Sequence, residues 1–213
     1  MKVAVSYISS NYDFYETIKR IDESNADYLH MDIMDGKYVS NKTFNKKNIK
    51  YIFNNCKKLV DVHLMVINPD RYLKYFKNDL VDIIYFHPST SKNIMKTIYK
   101  IKKLNKSVGL VINPDEDINA FVDYFSSIDN LLTMSVNPGA GGQEFIDSTI
   151  NKISVISNTI KEKNQNILLA VDGGVNSETV KKIDKNIIDY VVSGSFICKS
   201  IDYNENINLL KEI

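Results

Sequence analysis

The sequence predicts a (β/α)8 TIM barrel, and three observations carry that prediction. Short apolar runs alternate with longer stretches of helical periodicity eight times in 213 residues, a length within the range of such barrels. Several runs are apolar almost without a break, as strands covered on both faces of a parallel sheet must be. The competing open sheet, in its dinucleotide-binding form, needs a glycine-rich turn after the first strand. The segment there, Ser6-Tyr7-Ile8-Ser9-Ser10-Asn11, has no glycine.

In chain order the predicted strands are Val3 to Ser6, Tyr28 to Ile33, Val60 to Val66, Ile83 to His87, Ser107 to Ile112, Leu131 to Val136, Ile167 to Asp172 and Tyr190 to Ser193. The helical patterns between them are Phe14 to Ser24, Lys47 to Asn55, Pro69 to Lys77, Lys92 to Leu104, Ile118 to Phe125, Ile146 to Lys163 and Ser177 to Ile183, with Asn206 to Ile213 as a last helix. Asn68-Pro69 supplies an N-cap candidate and a proline at the first helical position, and Asn176-Ser177-Glu178 is rich in capping groups. In Lys92 to Leu104, Ile94, Ile98 and Ile101 share one face and lysines occupy much of the rest, the pattern of a helix packed on a sheet. No linker or low-complexity stretch interrupts the series, so residues 1–213 are expected to form one barrel domain.

Composition excludes several classes of function. A formal net charge of +1 with no basic block gives no reason to expect nucleic acid or an acidic membrane surface as a partner. Cys56 and Cys198 have no CxxC spacing and suit a reducing compartment. The start, Met1-Lys2-Val3-Ala4-Val5, lacks a signal-peptide pattern, and no apolar run reaches membrane-spanning length. The expectation is a soluble cytoplasmic protein.

Chemistry concentrates in Leu29-His30-Met31-Asp32-Ile33-Met34-Asp35-Gly36. Side chains two apart on a strand point the same way, so His30 and Asp32 share a face while Leu29, Met31 and Ile33 take the other. That fits a metal-ligand or acid/base pair, and equally a buried histidine paired with an aspartate for structural reasons. Elsewhere, polar residues gather near the C-terminal strand ends, where barrels place their sites: Ser6, Ser9, His63, His87, Asn113, Ser135, Asn137, Asp172 and Ser193. His30, Asp32, His63 and Asp172 offer two imidazole nitrogens and two carboxylates, a set suited to Zn²⁺ or to Fe²⁺, Mn²⁺ or Co²⁺. A lone His63 would read as a core histidine, and the sequence leaves open whether it faces the barrel interior. His87, beside Pro88, reads as a polar rim residue. Three glycine-containing loops follow late strands: Asn137 to Gln143, Asp172-Gly173-Gly174-Val175 and Ser193-Gly194-Ser195. The last two present backbone N–H groups where barrels of this kind bind phosphate, so a phosphorylated small molecule with a metal at its reactive end is expected.

These stretches, with Asp61-Val62-His63-Leu64-Met65-Val66 and Met134-Ser135-Val136-Asn137-Pro138-Gly139, resemble the ribulose-phosphate 3-epimerase family in order and over nearly the whole chain. The resemblance implies that His30, Asp32, His63 and Asp172 hold one divalent ion and that Asp32 and Asp172 double as the acid/base pair. It implies substrate contacts from Ser9, from the thioethers of Met34, Met65 and Met134, and from Gly139, Gly141, Gly142, Gln143, Gly173, Gly174, Gly194 and Ser195. The implied reaction inverts C3 of D-ribulose 5-phosphate through an enediolate, giving D-xylulose 5-phosphate. The chain departs from the family's pattern at Val5, Ile8, Ser10-Asn11, Ser40 and Ala140, the last replacing an aromatic residue in the glycine loop. Two other readings stand beside it: a D-allulose 6-phosphate 3-epimerase, and a sugar-phosphate-binding barrel without catalysis. A decarboxylase of the orotidine-phosphate kind would carry lysine where this chain has Met34. Members of the family often associate, so a homo-oligomer is expected, with Tyr72, Tyr75 and Phe76 as interface candidates.

Overall fold

In a computed structural model, which describes residues 1–163 and 165–212, eight parallel strands close into a barrel in chain order. They are β1 (Lys2–Ser6), β2 (Tyr28–Met34), β3 (Leu59–Met65), β4 (Val81–Phe86), β5 (Ser107–Ile112), β6 (Asn130–Met134), β7 (Leu168–Asp172) and β8 (Tyr190–Ser193). Pairing of β8 with β1 completes the ring. β5 and β8 have the predicted bounds, and the other strands shift by one or two residues at their ends. β6 stops at Met134, two residues before the predicted Val136, because the Ser135 hydroxyl turns onto the carbonyls of Asp172 and Gly173.

Alternation along the strands builds two separate apolar layers. Leu29, Met31, Ile33, Val60, Val62 and Leu64 face outward into the large core beneath the helices. Tyr28, Ile83, Tyr85, Val111, Leu132, Ala170 and Tyr190 fill the barrel interior. Tyr85 is fully buried there, and its ring occupies the space over Gly109, where a Cβ would fall 2.0 Å from the ring. His63 belongs to the interior set, which answers the orientation left open by the sequence.

The α-helices are α1 (Phe14–Glu23), α2 (Lys46–Asn55), α3 (Ile94–Lys102), α4 (Ser148–Glu162), the single turn α5 (Ser195–Cys198) and α6 (Tyr203–Lys211). Asp13, Asn45, Asn93 and Asp202 cap α1, α2, α3 and α6 through side-chain bonds to backbone N–H groups. The Asp202 cap starts α6 three residues before the predicted Asn206, and the predicted end at Ile213 lies outside the described residues.

Three predicted helices are instead short 3-10 turns: Pro69–Arg71 with Leu73–Tyr75, Ile118–Ala120 with Val122–Ser127, and Val180–Lys182. Their buried residues recur at three: Leu73 and Phe76, Ile118 and Phe121, Val180 and Ile183. That spacing aligns side chains on a 3-10 turn. Asn68 adopts the left-handed conformation and makes no side-chain cap. Phe76 is fully buried within the chain's own core, so it is withdrawn as an interface residue, and Tyr72 and Tyr75 pack on Phe44.

At the N-terminal end of the barrel, three aspartates clamp neighbouring strands. Asp27, Asp129 and Asp189 each donate a backbone N–H to the carbonyl of Val3, Val108 and Leu169 at 2.8, 2.9 and 2.8 Å. Each carboxylate accepts that same residue's N–H in return, at 2.8, 2.8 and 2.7 Å. Among the described residues no helix is long and apolar enough to cross a membrane.

Candidate active site

β2, β3 and β7 bring His30, Asp32, His63 and Asp172 together at the C-terminal end of the barrel. One ligand atom from each lies within 4.8 Å of all the others. His30 Nε2 is 3.3 Å from Asp32 Oδ1 and 3.7 Å from Asp172 Oδ2. His63 Nδ1 is 3.3 Å from Asp32 Oδ1 and 3.6 Å from Asp172 Oδ2. Both histidines are fully buried, Asp32 nearly so, and Asp172 is half-buried at the cavity wall.

Neighbours hold three of the four groups from behind. The Ser6 hydroxyl donates to Asp32 Oδ2 at 2.7 Å. His30 Nδ1 sits 2.9 Å from Asp61 Oδ2, and His63 Nε2 sits 2.9 Å from His87 Nε2. His87 is therefore a buried partner of His63 and not the rim residue expected from its place beside Pro88. Asp61 and His87 were both absent from the predicted site. Asp61 had a visible signal, since Asp61-Val62-His63 repeats on β3 the two-residue spacing of His30-Met31-Asp32.

The electrostatics ask for a cation. Burial opposes charging of His30, yet Asp61 and Asp32 outweigh it and raise the imidazole well above its usual range. Burial likewise opposes charging of His63, and Asp172 and Asp32 raise it. Burial pushes the Asp32 carboxyl up, but the two imidazoles win and hold it far below the usual carboxylate range. Burial and the neighbouring His63 together keep His87 neutral. The nitrogens turned inward, His30 Nε2 and His63 Nδ1, have no hydrogen-bond partner among the described residues. An unpaired buried polar atom costs about 1–3 kcal/mol, and two of them aimed at two carboxylates match what a divalent metal ion requires of its ligands. The donor set fits such an ion.

Above the cluster lies a cavity open to solvent, and every residue expected to touch substrate lines it. Met34, Met65 and Met134 form its apolar wall next to Asp32 and Asp172, while Gly173, Gly174, Gly194 and Ser195 line the side beyond β7 and β8. Ser9 and the loop residues Gly139, Gly141, Gly142 and Gln143 complete the lining. A Cβ on Gly141 would fall 1.9 Å from Ser9 Oγ, so glycine there lets the loop approach that serine. Gly174 has φ +63° and a Cβ there would meet the Phe145 backbone at 2.6 Å, so the turn after β7 admits no side chain. The Gln143 amide donates to Asn137 O and Ala140 O at 2.7 and 2.8 Å, binding the loop to itself. Asn41 Nδ2 clasps the same loop through Gly139 O at 2.7 Å, and the Ala140 side chain is exposed.

Comparison with known proteins agrees with this geometry. A model of the ribulose-phosphate 3-epimerase family matches residues 2–198. The ribulose-phosphate 3-epimerase of Helicobacter pylori is 38% identical over 203 residues, covering 95% of this chain and 93% of that protein. The Bacillus subtilis ribulose-phosphate 3-epimerase is 33% identical over 213 residues, covering 99% and 98%. Among solved structures, 3-hexulose-6-phosphate synthase from Salmonella typhimurium superposes with a TM-score of 0.71 at 20% identity over 100% of this chain and 97% of its own, a likeness of fold. With a closed parallel barrel, two histidines and two aspartates at its mouth, and relatives of this similarity and coverage, the chain belongs to the ribulose-phosphate 3-epimerase family.

Proposed function

We infer that the enzyme interconverts D-ribulose 5-phosphate and D-xylulose 5-phosphate by removing and returning the proton at C3. The observation that carries this reading is the pairing of Asp32 and Asp172, delivered from β2 and β7 to one point beside an apolar wall of three methionines. The C3 hydrogen lies next to the C2 carbonyl, so its loss leaves a planar enediolate. Inverting such a centre requires a proton-carrying group on each face. One aspartate takes the C3 proton and the other returns one to the opposite face, and the roles exchange in the reverse direction. Ser6 keeps Asp32 aimed by holding its second oxygen. The methionines keep water from the reacting carbons without offering a competing proton donor. Backbone N–H groups at Gly142, Gly174, Gly194 and Ser195 are assigned to the phosphate, at the position barrels use after their last two strands. His30, Asp32, His63 and Asp172 would hold a divalent cation, which when bound would supply positive charge worth roughly several kcal/mol against negative charge developing on the substrate oxygens.

The test is exchange of the C3 hydrogen in D₂O with both five- and six-carbon ketose phosphates at equal concentration. Exchange and epimerisation with D-ribulose 5-phosphate are expected in excess over D-allulose 6-phosphate. Preference for the six-carbon sugar would move the assignment to that epimerase. Binding without exchange would make the protein a sugar-phosphate binder.

A further inference from the structure

The two histidines of the cluster offer different nitrogens to the same point. His30 turns Nε2 toward Asp32 and Asp172, while His63 turns Nδ1 toward the same pair. A neutral imidazole carries one ring proton, so a nitrogen presents a lone pair only when the other nitrogen holds that proton. To ligate one cation, His30 must be protonated on Nδ1 and His63 on Nε2. The two ligands need opposite tautomers.

Each requirement has one neighbour able to impose it. His30 Nδ1 lies 2.9 Å from Asp61 Oδ2, an oxygen placed to accept, so the contact holds the ring proton on Nδ1. Asp61 is fully buried, its Oδ2 also faces the Tyr190 hydroxyl at 3.4 Å, and Tyr190 is hydrogen-bonded to Tyr85. Behind His63 there is no carboxylate. Its Nε2 faces His87 Nε2 at 2.9 Å, and a single proton lies between those two nitrogens. It belongs to His63 when the proton of His87 sits on Nδ1. That nitrogen is 3.1 Å from the Tyr38 hydroxyl oxygen, which also accepts from Asn113 Nδ2 at 3.2 Å. A hydroxyl oxygen has two lone pairs, enough for both donors. The chain of bonds from Tyr38 through His87 then leaves His63 Nδ1 bare toward the cluster.

We propose that Asp61 and His87, the latter backed by Tyr38, are positioning residues that lock His30 and His63 into opposite tautomers so that both lone pairs meet at one divalent cation. The proposal rests on the metal reading given above. It gives the two ligands unequal backing, a carboxyl group behind His30 and an imidazole behind His63. Partners of this kind are typically worth about 10- to 100-fold in metal affinity.

The chain has three histidines, two in the cluster and His87 against it, so long-range proton–nitrogen NMR of the Zn²⁺-loaded protein resolves every ring. The expected spectrum places the ring proton on Nδ1 of His30 and on Nε2 of His63, and the same tautomer at both would overturn the proposal. In competition with a chromogenic chelator, Asp61→Leu and His87→Leu should weaken Zn²⁺ binding by about 10- to 100-fold. His87→Gln, whose amide oxygen can accept from His63, should recover most of that loss, and Tyr38→Phe should lose less than His87→Leu. Circular dichroism of each metal-free variant reports folding; if Asp61→Leu fails to fold, the wild-type spectrum and the His87 pair still decide. A wild type that takes up no Zn²⁺ removes the metal reading and this proposal with it. A wild type that binds Zn²⁺ no better than His87→Leu removes this proposal alone.

Discussion

At the N-terminal end of the barrel, Asp27, Asp129 and Asp189 each accept a backbone N–H from an adjacent strand. At the C-terminal end, Asp32 and Asp172 approach two imidazole nitrogens that have no hydrogen-bond partner. The same residue type is used in opposite ways. On the floor each carboxylate closes a two-way bond with the backbone and ties one strand to the next. At the mouth the polar groups are gathered and left short of partners, at a cost of about 1–3 kcal/mol for each unpaired buried atom. The difference separates a face that holds the barrel closed from a face whose donors are suited to a cation.

The separation breaks most visibly if chemistry and stability prove linked. Asp172→Asn should lower epimerisation by about 10³-fold, within the range of a lost general acid/base, while the metal-free variant keeps its thermal midpoint within about 2–4 °C of wild type. Turnover near wild type would take Asp172 out of the proton transfer. Gly109→Ala probes the layer between the two ends, because the new Cβ would stand 2.0 Å from the Tyr85 ring in a fully packed interior. Overpacking of this kind costs about 1–3 kcal/mol. Displacing Tyr85 also disturbs Tyr190 and Asp61, so this variant should lose stability together with Zn²⁺ affinity. Unchanged affinity in a destabilised Gly109→Ala protein would show that the interior tyrosines do not support the mouth. Asp189→Ala strikes the floor alone. It leaves the N–H of buried Leu169 without its side-chain acceptor and should cost about 1–3 kcal/mol in urea unfolding with kcat and KM unchanged. A loss of turnover comparable to that of Asp172→Asn would end the distinction between the two faces.

The sequence is legible where one physical demand acts alone. Strands buried on both faces need apolar runs, and the strand ends these runs predict fall within two residues of those observed. The two-residue spacing of His30 and Asp32 puts them on one face, and the glycines of the late loops fall on the lining of the cavity above them. Reading failed where two demands compete. Pro69 to Lys77 has helical composition, but Leu73 and Phe76 bury at a spacing of three and the segment tightens into 3-10 turns. His87 sits at a strand end beside a proline, which suggests a rim. Its burial depends on His63, Tyr38 and Asn113, which lie on three other segments, and no local pattern encodes that meeting. Asp61 was hidden differently: it follows the interior periodicity of β3, yet a charged residue below the site has no meaning until His30 is seen beside it.

The smallest effect belongs to the floor and is visible only through pH. Asp22, at the end of α1, accepts at Oδ1 from the Cys56 thiol and from the backbone N–H groups of Lys57 and Lys58, just before β3. Burial pushes its carboxyl up, but these donors prevail and hold it below its usual value. The native state therefore binds this proton less readily than the unfolded chain does. The stabilisation is present above the unfolded carboxyl pKa, near about 4, and is lost as pH falls through the lower native value. Asp22→Asn keeps an acceptor but has no charge to lose. Its stability should lie below that of wild type at pH 7, and the gap should close as acid protonates Asp22 in the parent protein. Urea unfolding at neutral and acidic pH measures the gap directly. A gap of constant size would mean that Asp22 acts through shape alone, and the charged clamp would not extend from the strand pairs to the helix end.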